Sequence, residues 1–353
     1  MGKCDMVVPK SLGRSARLVG GFFELQLPNS EGPGLLDAWL GRHDAYALFE
    51  NARSAIFHVL KSHAATRVWL PAYLCADVAD ASLRAGAQIA YFPLGDTLEP
   101  DLGFLAQNLR PGDFCLAVDY FGRDPGREFR QFVAGRADID WIEDRAHAWS
   151  TGFAPWGRWV VYSPRKLIGV PDGGVLIDTR GADPAVRLTR ASGSVVFMSA
   201  ALGRFEDRDE SRNAVWHAAS VRHERAMRAG MRPMSRLSET ILRGVDASVL
   251  ATRRRANYRL LQAHLGEMAL FGDAYARWVP SGFPIRIKGA DRLWKRLCAQ
   301  GIFAQRHWTH LPSPARAFKR EHRLARELVT LPCDHRYGTP EMMRIVAAVR
   351  EAA

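Results

Sequence analysis

Between Arg67 and Pro164 the chain repeats one unit, a short run of branched and aromatic residues followed by a turn or a helical stretch. The runs RVWLPAY (67–73), QIAYFPL (88–94), DFCLAVDYF (113–121), DIDWIED (138–144) and RWVVYSP (158–164) read as strands. CADVADASLRAG and REFRQFVAG lie between them and read as helices. ARSAIFHVLKSHA, from Ala52, has its apolar positions at helical spacing. Strands that alternate with helices bury both faces of a sheet. The expected fold class is therefore α/β, with a mostly parallel central sheet and covering helices.

The texture changes near Asn213. NAVWHAASVRHERAM, SRLSETILRGV and RRRANYRLLQAHLG are long, charged and helical, and the run Arg253, Arg254, Arg255 is expected to lie on a solvated helix face. One more strand-like run, GFPIRIK, precedes helices at DRLWKRLCAQG and TPEMMRIVAAVREAA, which suits a small α+β unit. A length of 353 residues fits two domains, expected at 1–245 and 246–353. No solenoid-period repeat is visible.

The charge balance, 49 Lys+Arg against 37 Asp+Glu, gives +12 and favours anionic partners. The arginines are scattered and no nucleic-acid-binding signature accompanies them, so the expected partner is a small anionic molecule and not nucleic acid. Every hydrophobic run is interrupted by Arg, Asp or Gly, and the N-terminus lacks the continuous apolar core of a signal peptide. The chain is expected to be cytoplasmic, with no membrane partner. Cys4, Cys75, Cys115, Cys298 and Cys333 are far apart, without the C-x-x-C spacing of a metal site, so reduced thiols and no metal are expected.

Chemistry-bearing residues gather at strand ends. The run RWVVYSP leads into Arg165, Lys166 and a Gly-containing turn. A lysine amine near other positive charge, partly desolvated, can act as a nucleophile toward an aldehyde, with Ser163 and Arg165 placed to meet an anion. An exposed strand-end lysine is the plain alternative. DIDWIED ends in Glu143 and Asp144 and runs into His147. Asp144 is a candidate partner for the ring nitrogen of pyridoxal phosphate, or else a turn cap, and His147 either lies beside such a ring or packs at the strand end. Arg53 and Ser54 open the first clear helix, whose free N–H groups suit a phosphate, although Ser is also an ordinary helix cap. In the segment QRHWTHLP, His307, Trp308 and His310 form a further candidate for substrate contact, or pack between domains.

Together these segments resemble the DegT/StrS family of pyridoxal-phosphate sugar aminotransferases, which share the aspartate-aminotransferase fold. The resemblance extends through WLPAYLCADV, VDYFG, IEDRAHAW, SPRKLIGVPDGG, RRRANYRLL and LPCDHRY, over roughly residues 20 to 350. It implies that Lys166 carries pyridoxal 5'-phosphate in a Schiff base, that Asp144 pairs with the ring nitrogen and that His147 lies near the ring hydroxyl. Ser54 and Ser163 would bind the phosphate, with Arg53 beside it, and Tyr73 and Cys75 would lie near the ring. It also implies a homodimer with shared active sites.

This chain departs from the family pattern in several places. Ala52 stands where a Gly often opens the phosphate site, Asp119 where many relatives have His, and Cys75 where a ring-stacking aromatic is common, leaving Tyr73 as a substitute. No Asn precedes the segment Arg232, Pro233, Met234, Ser235, and Ser163 lies three residues before the lysine where many sugar enzymes have a serine five before. The resemblance implies transfer of an amino group from an amino acid, glutamate by analogy, to a keto group on a nucleotide-linked sugar or related intermediate of polysaccharide or antibiotic biosynthesis. The same lysine and aspartate would also serve a decarboxylase, a lyase or a carbon–carbon bond-forming enzyme, and a non-catalytic binding protein on the same fold is a third reading.

Overall fold

The computed structural model of the chain describes residues 17–29, 33–150, 152–181, 186, 188, 194–272 and 277–352; Cys4 and the beginning of the N-terminal stretch lie outside them. The strands are β1 (Val19–Gly20), β2 (Tyr46–Phe49), β3 (Arg67–Pro71), β4 (Gln88–Phe92), β5 (Phe114–Val118), β6 (Asp140–Arg145), β7 (Trp159–Tyr162), β8 (Gly174–Asp178), β9 (Phe283–Arg286), β10 (Ile302–Phe303) and β11 (Leu328–Leu331). The helices are α1 (Leu35–Leu40), α2 (Ala52–Ser62), α3 (Ala76–Arg84), α4 (Leu102–Asn108), α5 (Arg127–Ala134), α6 (Ser194–Glu206), α7 (Asn213–Ala226), α8 (Arg236–Arg243), α9 (Ala247–Leu265), α10 (Ala290–Ala299), α11 (Lys319–Glu327) and α12 (Thr339–Ala352).

Seven strands form one sheet in the order β2-β8-β7-β6-β5-β3-β4. Strands β4, β3, β5, β6 and β7 are parallel, and β8 alone runs against its neighbours β7 and β2. The α/β expectation holds, and each of the five runs from Arg67 onward is a strand. Strands β2 and β8 were not expected. β8 follows the Gly173–Gly174 turn with no helix before it and returns antiparallel, so the strand–helix alternation that marks the others is missing there. A Cβ on Gly174 would sit 2.3 Å from the Asn51 carbonyl carbon, and one on Gly173 (φ +139°) would sit 2.6 Å from the Pro164 ring. Only glycines let β8 start this close to both the helix α2 entry and the loop after β7.

Helix α2 starts where the Asn51 side chain accepts from the Ser54 N–H, and its Ala55, Ile56, Val59 and Leu60 are buried. It packs across β7, β8 and β2. The chain leaves β3 for the edge strand β4 and then returns past β3 to β5. Strand order therefore switches at β3 and β5, and in sheets of this kind ligands bind beyond the carboxyl ends of the strands at such a switch. The residues after β3, β5, β6 and β7 share that edge.

The C-terminal elements include an antiparallel pair, β9 with β11, and β1 joins β10 in parallel, so the N-terminal strand is tied to the C-terminal part of the chain. One apolar core extends from Ile56, Leu70 and Leu116 of the large sheet to Leu261, Phe283 and Leu331. Arg254 departs from the expected solvated face, because it is fully buried. Its guanidinium donates to the Pro280 carbonyl (3.1 Å) and the Leu167 carbonyl and lies against the Trp149 ring. An arginine turned inward on a basic helix is indistinguishable by spacing from one turned outward. Among the described residues no helix is long and apolar enough to cross a membrane.

Candidate active site

Strand β7 ends at Tyr162, and Ser163 is followed by a single tight turn over Pro164–Lys166. Leu167 and Ile168 donate back to the Pro164 carbonyl at 2.8 and 3.0 Å, and both side chains are fully buried. Pro164 is buried as well, so the backbone on each side of Lys166 is fixed while its own side chain is exposed. The Lys166 Nζ lies 3.3 Å from His147 Nε2.

His147 reaches that position from β6. Asp144 turns its carboxylate onto the Ala146 N–H (2.8 Å), and the Asp119 N–H holds the Asp144 carbonyl at 3.0 Å. The chain thus bends sharply after Arg145 and brings His147 back over the sheet edge. Its imidazole is 5.5 Å from Trp308 and nearly parallel to it, 5.0 Å from His307 and 5.8 Å from Phe121. Burial, reinforced by the positive charge of Lys166 and by His307, holds His147 well below the ordinary imidazole range and keeps it neutral. Its Nδ1 is buried and has no hydrogen-bond partner among the described residues.

Asp144 is buried, which raises its carboxyl above the usual range, and the positive charge of Lys166 opposes that rise. Behind it, Arg145 bridges two more buried carboxylates, Glu143 at 2.5 Å and Asp119 at 3.3 Å, and donates to the Tyr162 hydroxyl at 2.9 Å. Burial and the neighbouring Glu143 push Asp119 well above the ordinary carboxylate range. This group braces the ends of β5, β6 and β7 from the side away from Lys166.

Tyr73 and Cys75 follow β3. Tyr73 is fully buried between Tyr120 (5.9 Å) and Trp308 (5.4 Å), and the Tyr120 hydroxyl donates to its carbonyl. Cys75 is half-buried at the start of α3. Burial raises its thiol, and the positive charge of Lys166 works against that rise, so the two groups share one electrostatic environment. His307 and Trp308 thus join the cluster, with His307 pushed down to about 3 by burial and by Lys166, whereas His310 is exposed.

At the entry to α2 the Ser54 hydroxyl is engaged twice, donating to Asn51 Oδ1 at 2.9 Å and accepting from the Gly230 N–H at 3.1 Å. The Ser54 N–H is held by Asn51 as well. Asn51 also pairs with Gly173, and the Ala52 nitrogen lies against Gly174, so the start of β8 covers the first residue of this helix end. Ser163 is buried under the same turn that carries Lys166. Arg53 and Arg165 both reach Glu224 of α7. Glu224 was not singled out from the sequence, although it is the one acidic residue in the otherwise basic helix NAVWHAASVRHERA.

Lys166, Asp144, His147, Tyr73, Cys75 and Ser163 are thus gathered at one sheet edge, with Arg53 and Ser54 at the adjoining helix end. The set fits pyridoxal phosphate on chemical grounds. It offers an accessible amine, a buried carboxyl group, an imidazole nitrogen awaiting a partner and a helix end flanked by two arginines, Arg53 and Arg165. Among the described residues no cluster of three His, Cys, Asp or Glu side chains is arranged to hold a metal ion.

No protein-family model matches the chain. No curated protein matches it by sequence. Solved structures do match in fold. A DegT DnrJ EryC1 StrS aminotransferase from Brucella abortus is 17% identical, with 90% of this chain and 87% of that one covered and a TM-score of 0.65. The sugar aminotransferase CalS13 from Micromonospora echinospora is 15% identical over 95% of this chain and all (100%) of that one, with a TM-score of 0.64. The structure of NtdA from Bacillus subtilis with bound cofactor PMP is 15% identical, with 92% and 78% covered and a TM-score of 0.62. The chain has the fold of these aminotransferases over nearly its whole length.

Proposed function

We propose that the chain is a pyridoxal-phosphate aminotransferase of the DegT/StrS kind, which moves an amino group from an amino acid, glutamate, to a keto group on a nucleotide-linked sugar or a related intermediate. The observation that carries the reading is the convergence of Lys166, His147 and Asp144 at the ends of adjacent parallel strands, with the Lys166 amine 3.3 Å from a neutral imidazole. The bound cofactor would supply an aldehyde that takes an amine and a ring that withdraws electrons from the substrate carbon.

The chain's own groups divide the remaining work. Lys166 would hold the cofactor, and its Nζ, when free, would carry a proton to or from the substrate carbon. Asp144 would pair with the ring nitrogen and stabilise positive charge there. His147, neutral and with Nδ1 unpartnered, orients Lys166 through Nε2 and presents Nδ1 to a polar group of the ligand. Trp308 and Tyr73 provide aromatic walls in place of the aromatic that Cys75 replaces. The α2 end with the Arg53 side chain takes the phosphate, because the Ser54 hydroxyl is already engaged. The reading carries with it a cytoplasmic homodimer and an anionic acceptor, for which the charge of +12 is suited.

The test is to load the purified chain with pyridoxal phosphate and add glutamate. The visible absorbance of lysine-bound cofactor is expected to disappear and 2-oxoglutarate to form in equal amount. Unchanged absorbance with no 2-oxoglutarate would reject transamination from glutamate. Substrate consumption without amine transfer would point to another reaction of the same cofactor.

A further inference from the structure

Glu224 occupies an unusual position. Its Oε1 takes Nη2 of Arg53, the second residue of α2, and its Oε2 takes Nη1 of Arg165 at 2.6 Å, from the residue next to Lys166. One carboxylate therefore bridges two guanidinium groups, one from α2 and one from the Lys166 turn itself, beside the positive end of a helix dipole. Asp77, half exposed, adds a weaker contact to Arg53 at 3.2 Å. The Arg165 Nε–H is buried and has no acceptor among the described residues, so the pair still holds an unused donor.

We propose that the Arg53–Arg165 pair is a binding site for a phosphate monoester and that Glu224 is its internal anion, displaced when the phosphate enters. This rests on the cofactor reading above for the identity of that phosphate. Two guanidinium groups and a helix end match a phosphate carrying about −1.5 to −2 charges and three acceptor oxygens. A carboxylate left between the same two groups repels that phosphate and covers both arginines. Glu224 cannot step aside by taking up a proton, because Arg165 and Arg53 hold it well below the ordinary carboxylate range. It has to move.

Helix α7 is suited to such a movement. It packs chiefly against α6, and only Asn213 and Ala219 of its own residues are buried. Its last turn is held to α2 by polar contacts, the Glu224 bridge and the bond from Arg53 Nη1 to the Met227 carbonyl at 2.8 Å. The residues that follow repeat the pattern, with Asn51 Nδ2 donating to the Arg228 carbonyl at 3.3 Å and the Gly230 N–H to Ser54. Displacing Glu224 removes the contact that ties α7 to both arginines and loosens the last turn of the helix.

The experiment is a calorimetric titration of the full chain, freed of small anions, with inorganic phosphate, comparing the parent with Glu224→Gln. The variant is expected to bind phosphate about tenfold tighter or more, since a like charge leaves the site. Equal or weaker binding, or no binding to either protein, would overturn the proposal. Amide hydrogen exchange on the parent gives an independent reading that needs no variant to fold. Saturating phosphate should speed exchange at the end of α7, and unchanged or slower exchange there contradicts displacement. Pyridoxal phosphate and pyridoxal separate the two claims. If neither gives visible lysine-bound absorbance while Glu224→Gln still tightens phosphate, the cofactor reading fails and the displacement stands. If absorbance forms but the variant does not gain affinity, the reverse holds.

Discussion

Lys166 and His147 meet at 3.3 Å, Nζ to Nε2, although nineteen residues and the whole of β7 separate them in the chain. Parallel pairing of β6 with β7 makes the meeting possible, since it sets Asp144 opposite Val161 and ends both strands at the same edge. The imidazole is neutral and stacked on Trp308, so it fixes the amine without adding a second charge.

Replacing His147 with Ala removes the imidazole that meets the amine at 3.3 Å, while leaving the lysine in place. Turnover is expected to fall by roughly tenfold to a hundredfold, the usual cost of a reacting group that is no longer held in position. Covalent cofactor attachment should persist. Steady-state kinetics beside an absorbance spectrum will separate the two effects, and an unchanged turnover would remove His147 from the positioning role.

Arg254 supports the Lys166 turn from beneath, through the Leu167 carbonyl, and joins it to Pro280. Arg254→Met keeps much of the volume but leaves those buried carbonyls without a donor. The expected loss is about 3 kcal/mol of stability, since hydrogen bonds to a charged donor and the desolvation of orphaned acceptors both count. Denaturant unfolding checks it. A variant as stable as the parent would mean that water or a neighbouring donor takes over both carbonyls.

Two half-buried histidines set an acid limit on the fold. His307 and His335 are both pushed down to about 3 from 6.5, in each case first by burial, so the unfolded chain binds protons at these sites before the native chain does. Their contribution is complete above about pH 6.5 and is lost progressively as pH falls toward about 3. Melting temperature measured against pH should fall across that window, and His335→Gln should flatten the slope. An unchanged slope in the variant would show that other groups govern the acid limb.

The sheet was legible because β5 and β7 are apolar runs that stop at Asp119 and Ser163 and β6 ends in the charged Glu143, Asp144 and Arg145, and such a stop marks a strand's carboxyl end. Lys166 and Asp144 sit at two such stops, which is why the sequence brings them forward. Arg254 was not legible. Its burial depends on which way α9 turns against Trp149 and Leu167, and nothing local to Arg253, Arg254 and Arg255 records that. Ser54 has the right residue type at the right helix end, yet its hydroxyl is claimed by Asn51 and by Gly230, the latter a contact across 176 residues. Glu224 left a faint trace as a single acid in a basic helix, but its meaning appears only when Arg53 and Arg165 converge on it. Short strands such as β2 and β8 escape for a different reason. Each is stabilised by its partner in the sheet, and β8 turns back antiparallel with no helix before it.

The central claim is that Lys166 is the lysine that carries the cofactor. Incubating the full chain with pyridoxal phosphate, reducing it with borohydride and mapping the peptides by mass spectrometry tests this directly. One stable pyridoxyl-phosphate adduct is expected, on Lys166, and it should disappear together with the visible absorbance in Lys166→Ala. An adduct on a different lysine as the main product, or none at all, would contradict it.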